Sequence, residues 1–321
     1  MKQKILIARQ VFPDVIDFLS SDFDIDYNEG DDIFAPDALR ARAQGCAGIM
    51  CTIADKIDAA LFDACPHLKV VSNIAVGYNN IDAVEAKKRQ IKVTNTPGVL
   101  DNATADLTFA LLMAAARRVT ESEAWLRRGD WKKGFALQQM LGADIYRATL
   151  GIIGMGRIGQ TIAKRALGFE MVVRYYNRSR LDAATEAALN ASYATQESVL
   201  RESDFVVVMV PYSPATHHLI GAKEIALMKP TAILINTARG GVIDDAALIA
   251  ALKANKIAGA GLDVFENEPA YNREFLSLDN VALTPHIGSA TRSTRMAMAM
   301  LAATNLKAAL TGKEPPNWVN R

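Results

Sequence analysis

Three separate stretches of this sequence run from an apolar, strand-like segment into residues that can do chemistry. TAILIN (231–236) leads into Thr237-Ala238-Arg239-Gly240-Gly241, AGAGLD (258–263) into Val264-Phe265-Glu266-Asn267-Glu268-Pro269, and VALT (281–284) into Pro285-His286-Ile287-Gly288-Ser289. In an open α/β sheet, ligands bind beyond the carboxyl ends of the strands. An arginine, a glutamate and a histidine at successive strand ends therefore form a candidate catalytic set: Arg239, Glu268 and His286. These types suit reduction of a 2-oxo acid. A permanently charged guanidinium holds the substrate carboxylate and polarises the carbonyl. An imidazole donates a proton to the oxygen as hydride reaches the carbon. A neighbouring carboxylate favours the protonated ring. Arg239 and His286 are thus expected to touch substrate.

A second motif indicates where the hydride donor sits. Within TLGIIGMGRIGQTIAKRALGF (149–169), a short apolar strand runs into Gly154-Met155-Gly156-Arg157-Ile158-Gly159 and directly into a helix. A lone G-x-G-x-x-G is weak evidence; strand before and helix after make it a dinucleotide fingerprint. Gly154 permits the tight turn, Gly156 lets backbone approach a pyrophosphate, and Gly159 lets helix and strand pack closely. The free N–H groups of that helix end face the phosphates.

An acidic residue expected about 20 positions further on, to hold the ribose 2′-hydroxyl, is missing. The next strand, MVVRYYN, ends instead in Asn177-Arg178-Ser179-Arg180. A carboxylate there would repel a 2′-phosphate, whereas guanidinium and hydroxyl groups bind one. The expected cofactor is therefore NADP(H) in preference to NAD(H), with both arginines contacting the phosphate.

The elements that must carry these groups read as two α/β units. Strands are expected at 3–8, 24–28, 47–51, 69–73 and 91–95, with helices at 13–20, 36–43, 56–64 and 81–89. After one long helix at 104–128 and an irregular segment with Trp131, strands are expected at 149–153, 171–176, 205–210, 231–236, 258–263 and 281–284. Strand–helix alternation at this spacing implies βαβ units, and runs such as VVVMV imply strands buried on both faces. The expected fold is two Rossmann-like, doubly wound parallel-sheet domains with a cleft between them. Residues 1–98 plus 287–321 would form the substrate domain and 99–286 the dinucleotide-binding domain, the last helix (291–311) crossing back.

Bulk properties narrow the partners. A chain of 321 residues with 50% apolar residues and a formal charge of +1 is an ordinary globular sequence with no basic field for nucleic acid or an anionic membrane. No apolar run is long enough for a signal-peptide core or a membrane span. Three cysteines (Cys46, Cys51 and Cys65) with no C-x-x-C pair fit a reducing cytoplasm. Of the other histidines, His67 reads as a surface residue, and His217 and His218 as solvent-facing or near the cofactor rim. None has a metal-ligand partner at suitable spacing.

The sequence resembles the D-2-hydroxyacid dehydrogenase family nearly throughout, in VGYNNID (76–82), TPGVLDNATADLTFALL (96–112), GIIGMGRIG (151–159), MVPYSPATHHLI (209–220), INTARGGVID (235–244), AGLDVFENEP (260–269) and TPHIGSAT (284–291). Within it, the chain looks most like the glyoxylate/hydroxypyruvate reductase and 2-ketogluconate reductase branch. The resemblance implies Arg239 as substrate anchor, His286 as acid/base and Glu268 as its partner. Val76 and Gly77 would offer backbone N–H groups to the substrate carboxylate. Thr104, Val210, Pro211, Thr216, Thr237, Ala238, Asp263 and Gly288 would join the glycine loop and residues 177–180 in lining the cofactor. It also implies a homodimer, with the 117–148 arm reaching across. The alternatives are a dinucleotide-sensing binding protein without activity on the same fold, or a dehydrogenase for a different 2-hydroxy acid.

Overall fold

A computed structural model describes residues 2–321. The chain divides into two compact units, Met1–Leu100 with Ala290–Arg321, and Asp101–Ser289.

The first unit is built on strands β1 (Gln3–Ile7), β2 (Phe23–Tyr27), β3 (Gly48–Cys51), β4 (Val70–Asn73) and β5 (Lys92–Thr94), all parallel in the order β2-β1-β3-β4-β5. That is the flavodoxin-like order. The helix Arg292–Leu310 returns to this unit and lays Ala299, Ala302, Ala303, Leu306 and Leu310 on one face of the sheet, against Ile5, Ile7, Met50 and Val70. Two buried polar contacts tie it down. Ser72 Oγ donates to the Ala302 carbonyl at 2.8 Å, and the fully buried Asn305 donates to Asn95 O and accepts from Asn317 N. Stranding such a buried group costs about 1–3 kcal/mol.

The second unit has seven parallel strands: β6 (Thr149–Ile153), β7 (Val172–Tyr176), β8 (Ala191–Tyr193), β9 (Phe205–Val208), β10 (Ile233–Asn236), β11 (Gly259–Leu262) and β12 (Val281–Leu283). Their order, β8-β7-β6-β9-β10-β11-β12, reverses direction between β6 and β9. Such a switch point is where open α/β sheets bind ligands, and the glycine loop follows β6. The central strands β9 and β10 are buried throughout, as their continuous apolar runs require.

Two elements differ from expectation. The edge strand β8 was not anticipated: ASY is three residues long with two exposed, so it has no apolar run to mark it. The long helix expected over 104–128 is two helices, Asp101–Ala116 and Val119–Arg127. The break is imposed from outside the helix. Ala143 N donates to the Ala116 carbonyl at 2.8 Å, and a Cβ on Gly142 would stand 2.3 Å from that oxygen. Arg118 turns left-handed (φ +52°) and its guanidinium clasps Glu121.

Candidate active site

The glycine loop has the shape a pyrophosphate needs. Gly154 has φ +104°, and a Cβ there would meet Met209 O at 2.4 Å; one on Gly159 would meet Gly154 O at 2.3 Å. In front of Gly156, by contrast, nothing lies within 4 Å of where a Cβ would be. Gly156 is also the N-cap of the helix Arg157–Ala166, with no side-chain cap on its first N–H groups. Closed contacts behind and open space in front fit a bound dinucleotide phosphate. Met155 is buried and Ile158 packs on the same core, so only their backbone faces the site; Arg157 is exposed.

After β7, Asn177 Nδ2 donates to Ser179 O at 3.1 Å and closes a small turn. Arg178 and Ser179 are exposed on it, and Arg178 makes no ion pair among the described residues. Arg180, expected with Arg178 at the phosphate, is held in an ion pair. Its guanidinium bonds both oxygens of Glu186, at 2.9 and 2.8 Å, and Glu186 also accepts from the buried Tyr175 hydroxyl at 2.7 Å. Those bonds hold the Glu186 carboxyl down at about 2. A bidentate carboxylate satisfies the planar fork that a phosphate would otherwise use.

The loops after β9, β10, β11 and β12 carry the remaining candidates. Thr104 and Thr237 are buried; Thr108 Oγ1 donates to Thr104 O at 2.8 Å and lies 2.6 Å from Thr237 Oγ1. A Cβ on Gly288 would meet Thr104 at 3.6 Å and Asp263 Oδ2 at 3.2 Å, so Thr104, Thr108, Thr237, Asp263 and Gly288 form one cluster. Val210 and Thr216 are partly exposed and Pro211 exposed; the Thr216 hydroxyl donates to Pro211 O at 2.8 Å and shapes that loop.

Asp263, expected beside the cofactor, also braces the turn after β12. It is 1% exposed, and its carboxylate accepts from Thr284 Oγ1 (2.6 Å), Ile287 N (2.7 Å) and Gly288 N (2.8 Å). Burial pushes its carboxyl up, against these bonds and the nearby charge of His286. The brace fixes the turn on which His286 sits with φ +53°, a strained conformation for a non-glycine residue. From that turn His286 Nδ1 lies 2.6 Å from Glu268 Oε2, while Glu268 Oε1 accepts from Phe265 N at 2.8 Å.

Arg239 stands on the facing loop. Its Nη1 donates to Ala238 O at 2.7 Å. Burial pushes the guanidinium's pKa down, and the Glu268 charge opposes this. Gly240 makes the approach possible: a Cβ there would lie 1.7 Å from Phe265 O. The buried Asn236 holds the turn by donating to Arg239 O (3.0 Å) and accepting from Ala238 N (3.0 Å). The sequence reading did not single out Asn236; its place as the last residue of a fully apolar strand was the available signal. On the first unit, Val76 O and Gly77 O accept from Asn95 and Asn73 side chains, both at 2.8 Å.

Comparison with known proteins agrees with this geometry. Residues 109–288 match the family model "D-isomer specific 2-hydroxyacid dehydrogenase, NAD binding domain". The chain belongs to the D-2-hydroxyacid dehydrogenase family. It is 50% identical to a glyoxylate reductase of Pyrococcus horikoshii, covering 100% of this chain and 97% of that protein. A D-isomer specific 2-hydroxyacid dehydrogenase structure from Polaromonas superposes with TM-score 0.91 at 38% identity, covering 99% and 100% of the two chains. An NADPH-dependent glyoxylate/hydroxypyruvate reductase from Sinorhizobium meliloti, solved with NADP and malonate, gives TM-score 0.87 at 35% identity, covering 99% and 97%. As a member of this family the protein is an oxidoreductase that binds a nicotinamide dinucleotide. Among the described residues there is no cluster suited to a metal ion and no helix long and apolar enough to cross a membrane.

Proposed function

We propose that this enzyme reduces small 2-oxo acids, glyoxylate and hydroxypyruvate foremost, to D-2-hydroxy acids with NADPH. The observation that carries the reading is the 2.6 Å contact of His286 with Glu268, together with the close approach of Gly240, next to Arg239, to Phe265 of the loop that carries Glu268. When bound, the reduced nicotinamide supplies a hydride. The chain's own groups do the rest. Arg239 binds the substrate carboxylate and draws charge from the carbonyl. His286 gives a proton from Nε2 to the carbonyl oxygen. Glu268 fixes the ring's orientation through the contact at Nδ1. Residues 154–159 cradle the pyrophosphate, and Val76 and Gly77 are assigned to the substrate carboxylate through their N–H groups.

The preference for NADPH rests on the missing carboxylate at Asn177 and on the exposed Arg178, which makes no ion pair among the described residues. The relatives named above support the substrate class, and 2-ketogluconate is the bulkier candidate. A homodimer is part of the reading: Trp131, Phe135, Leu137, Leu141 and Tyr146 are all more than half exposed on one segment. Three buried free cysteines fit a cytoplasmic protein. The test is NADPH oxidation across glyoxylate, hydroxypyruvate and 2-ketogluconate, ranked by kcat/KM and repeated with NADH. Turnover of glyoxylate or hydroxypyruvate with an NADPH preference supports the reading. No turnover, with NADPH still bound, would favour a sensing protein; an NADH preference would overturn the cofactor assignment.

A further inference from the structure

A second imidazole–carboxylate pair stands on the same loop as the first. His218 Nε2 lies 2.6 Å from Glu266 Oε1, the same separation as His286 and Glu268. His218 is half-exposed, and its surroundings are specific. Its Nδ1 lies 3.7 Å from Asp244 Oδ2, its ring stacks on His217 at 3.9 Å, and the Tyr212 hydroxyl lies 3.3 Å from His217 Nδ1. Its backbone is left-handed (φ +50°) and its N–H donates to Gly241 O at 2.8 Å.

These contacts bind three strand-end loops together. His218 belongs to the loop after β9, Gly241 to the loop that carries Arg239, and Glu266 to the loop that carries Glu268. Glu266 is held twice, by His218 at its side chain and by Asp245 Oδ2, which accepts its backbone N–H at 3.0 Å. One residue before it, Phe265 N donates to Glu268, and Phe265 O fills the space beside Gly240. Any slackening at Glu266 is therefore passed to both the carboxylate that orients His286 and the turn that presents Arg239.

We propose that His218 is a positioning residue for the reaction: through Glu266 it clamps the 264–268 loop so that Glu268 holds His286 in line and Arg239 stays presented. This rests on the proposed roles of His286, Glu268 and Arg239. Misplacement of catalytic groups by about 1 Å can cost about 10²-fold in rate. A loosened clamp should therefore lower kcat about tenfold, leaving the glycine loop and KM for NADPH nearly untouched.

The test uses the full-length enzyme with NADPH and glyoxylate, or the best substrate of the panel above. His218→Ala and Glu266→Gln should each lower kcat about tenfold, with KM for NADPH within about twofold of wild type. The double variant should be no worse than either single one, since both break one contact. His218→Gln, whose amide can donate to Glu266, should recover most of the activity. Unchanged kcat in His218→Ala, a rise in KM for NADPH as large as the fall in kcat, or failure of His218→Gln to recover would each overturn the clamp. His286→Ala, run alongside, separates the two ideas: if it stays active the proposed mechanism fails, and if it alone is inactive only the clamp fails.

Discussion

His286 and His218 each stand 2.6 Å from a glutamate, and the two glutamates are two residues apart on one loop. Their surroundings nevertheless differ. Both ring nitrogens of His218 face carboxylates, and its ring is stacked on His217. His286 uses Nδ1 for Glu268, and its Nε2 has no partner among the described residues. It sits on a left-handed turn braced by a buried aspartate. An imidazole–carboxylate bond alone therefore says little about catalysis. The free nitrogen, and what faces it, distinguishes a proton donor from a fastener.

The comparison is broken most severely at the free nitrogen. His286→Ala should lower kcat by roughly 10²–10⁴-fold, the usual contribution of general acid catalysis. Arg239→Ala should act mainly on kcat/KM for the 2-oxo acid, by roughly 10–100-fold, because a charged hydrogen-bonding partner of the substrate is lost. An unchanged kcat/KM would assign the carboxylate to another group.

The same distinction between free and engaged groups applies at residues 177–180. Arg178 makes no ion pair among the described residues, whereas Arg180 pairs with Glu186. Arg178→Ala should weaken NADPH about tenfold, measured as kcat/KM, and leave NADH nearly unchanged. Equal losses with both cofactors would remove Arg178 from the 2′-phosphate.

The smallest effect is expected beneath the clamp. Burial raises the Asp245 carboxyl to about 6, above its unfolded value. A group raised in this way stabilises the fold at low pH and loses that contribution as pH rises through its folded value. Thermal midpoints of the wild type should therefore fall between about pH 4 and 6 by more than those of Asp245→Asn. Parallel profiles would show that Asp245 does not titrate there.

Much of this was legible in the sequence because it depends on short-range patterns. The strand–glycine–helix segment at 149–166 identifies a phosphate loop without tertiary information. The strand-end rule likewise picked out Arg239, Glu268 and His286, and the structure sets Glu268 on His286. What was not legible depends on contacts made elsewhere in the fold. Arg180 looks free until Tyr175 and Glu186 are folded around it. His218 meets Glu266 across 48 positions of sequence. The helix break at Arg118 is set by Gly142 and Ala143, well beyond the helix itself. The three donors that hold the Asp263 carboxylate come from residues 284–288 and could not be read from its own segment.

Chemical rescue tests the role of the free nitrogen most directly. His286→Ala assayed with NADPH and glyoxylate should be nearly inactive and should regain turnover, with saturation, as free imidazole is added. Activity within a few-fold of wild type without imidazole would contradict the assignment of His286 as the proton donor.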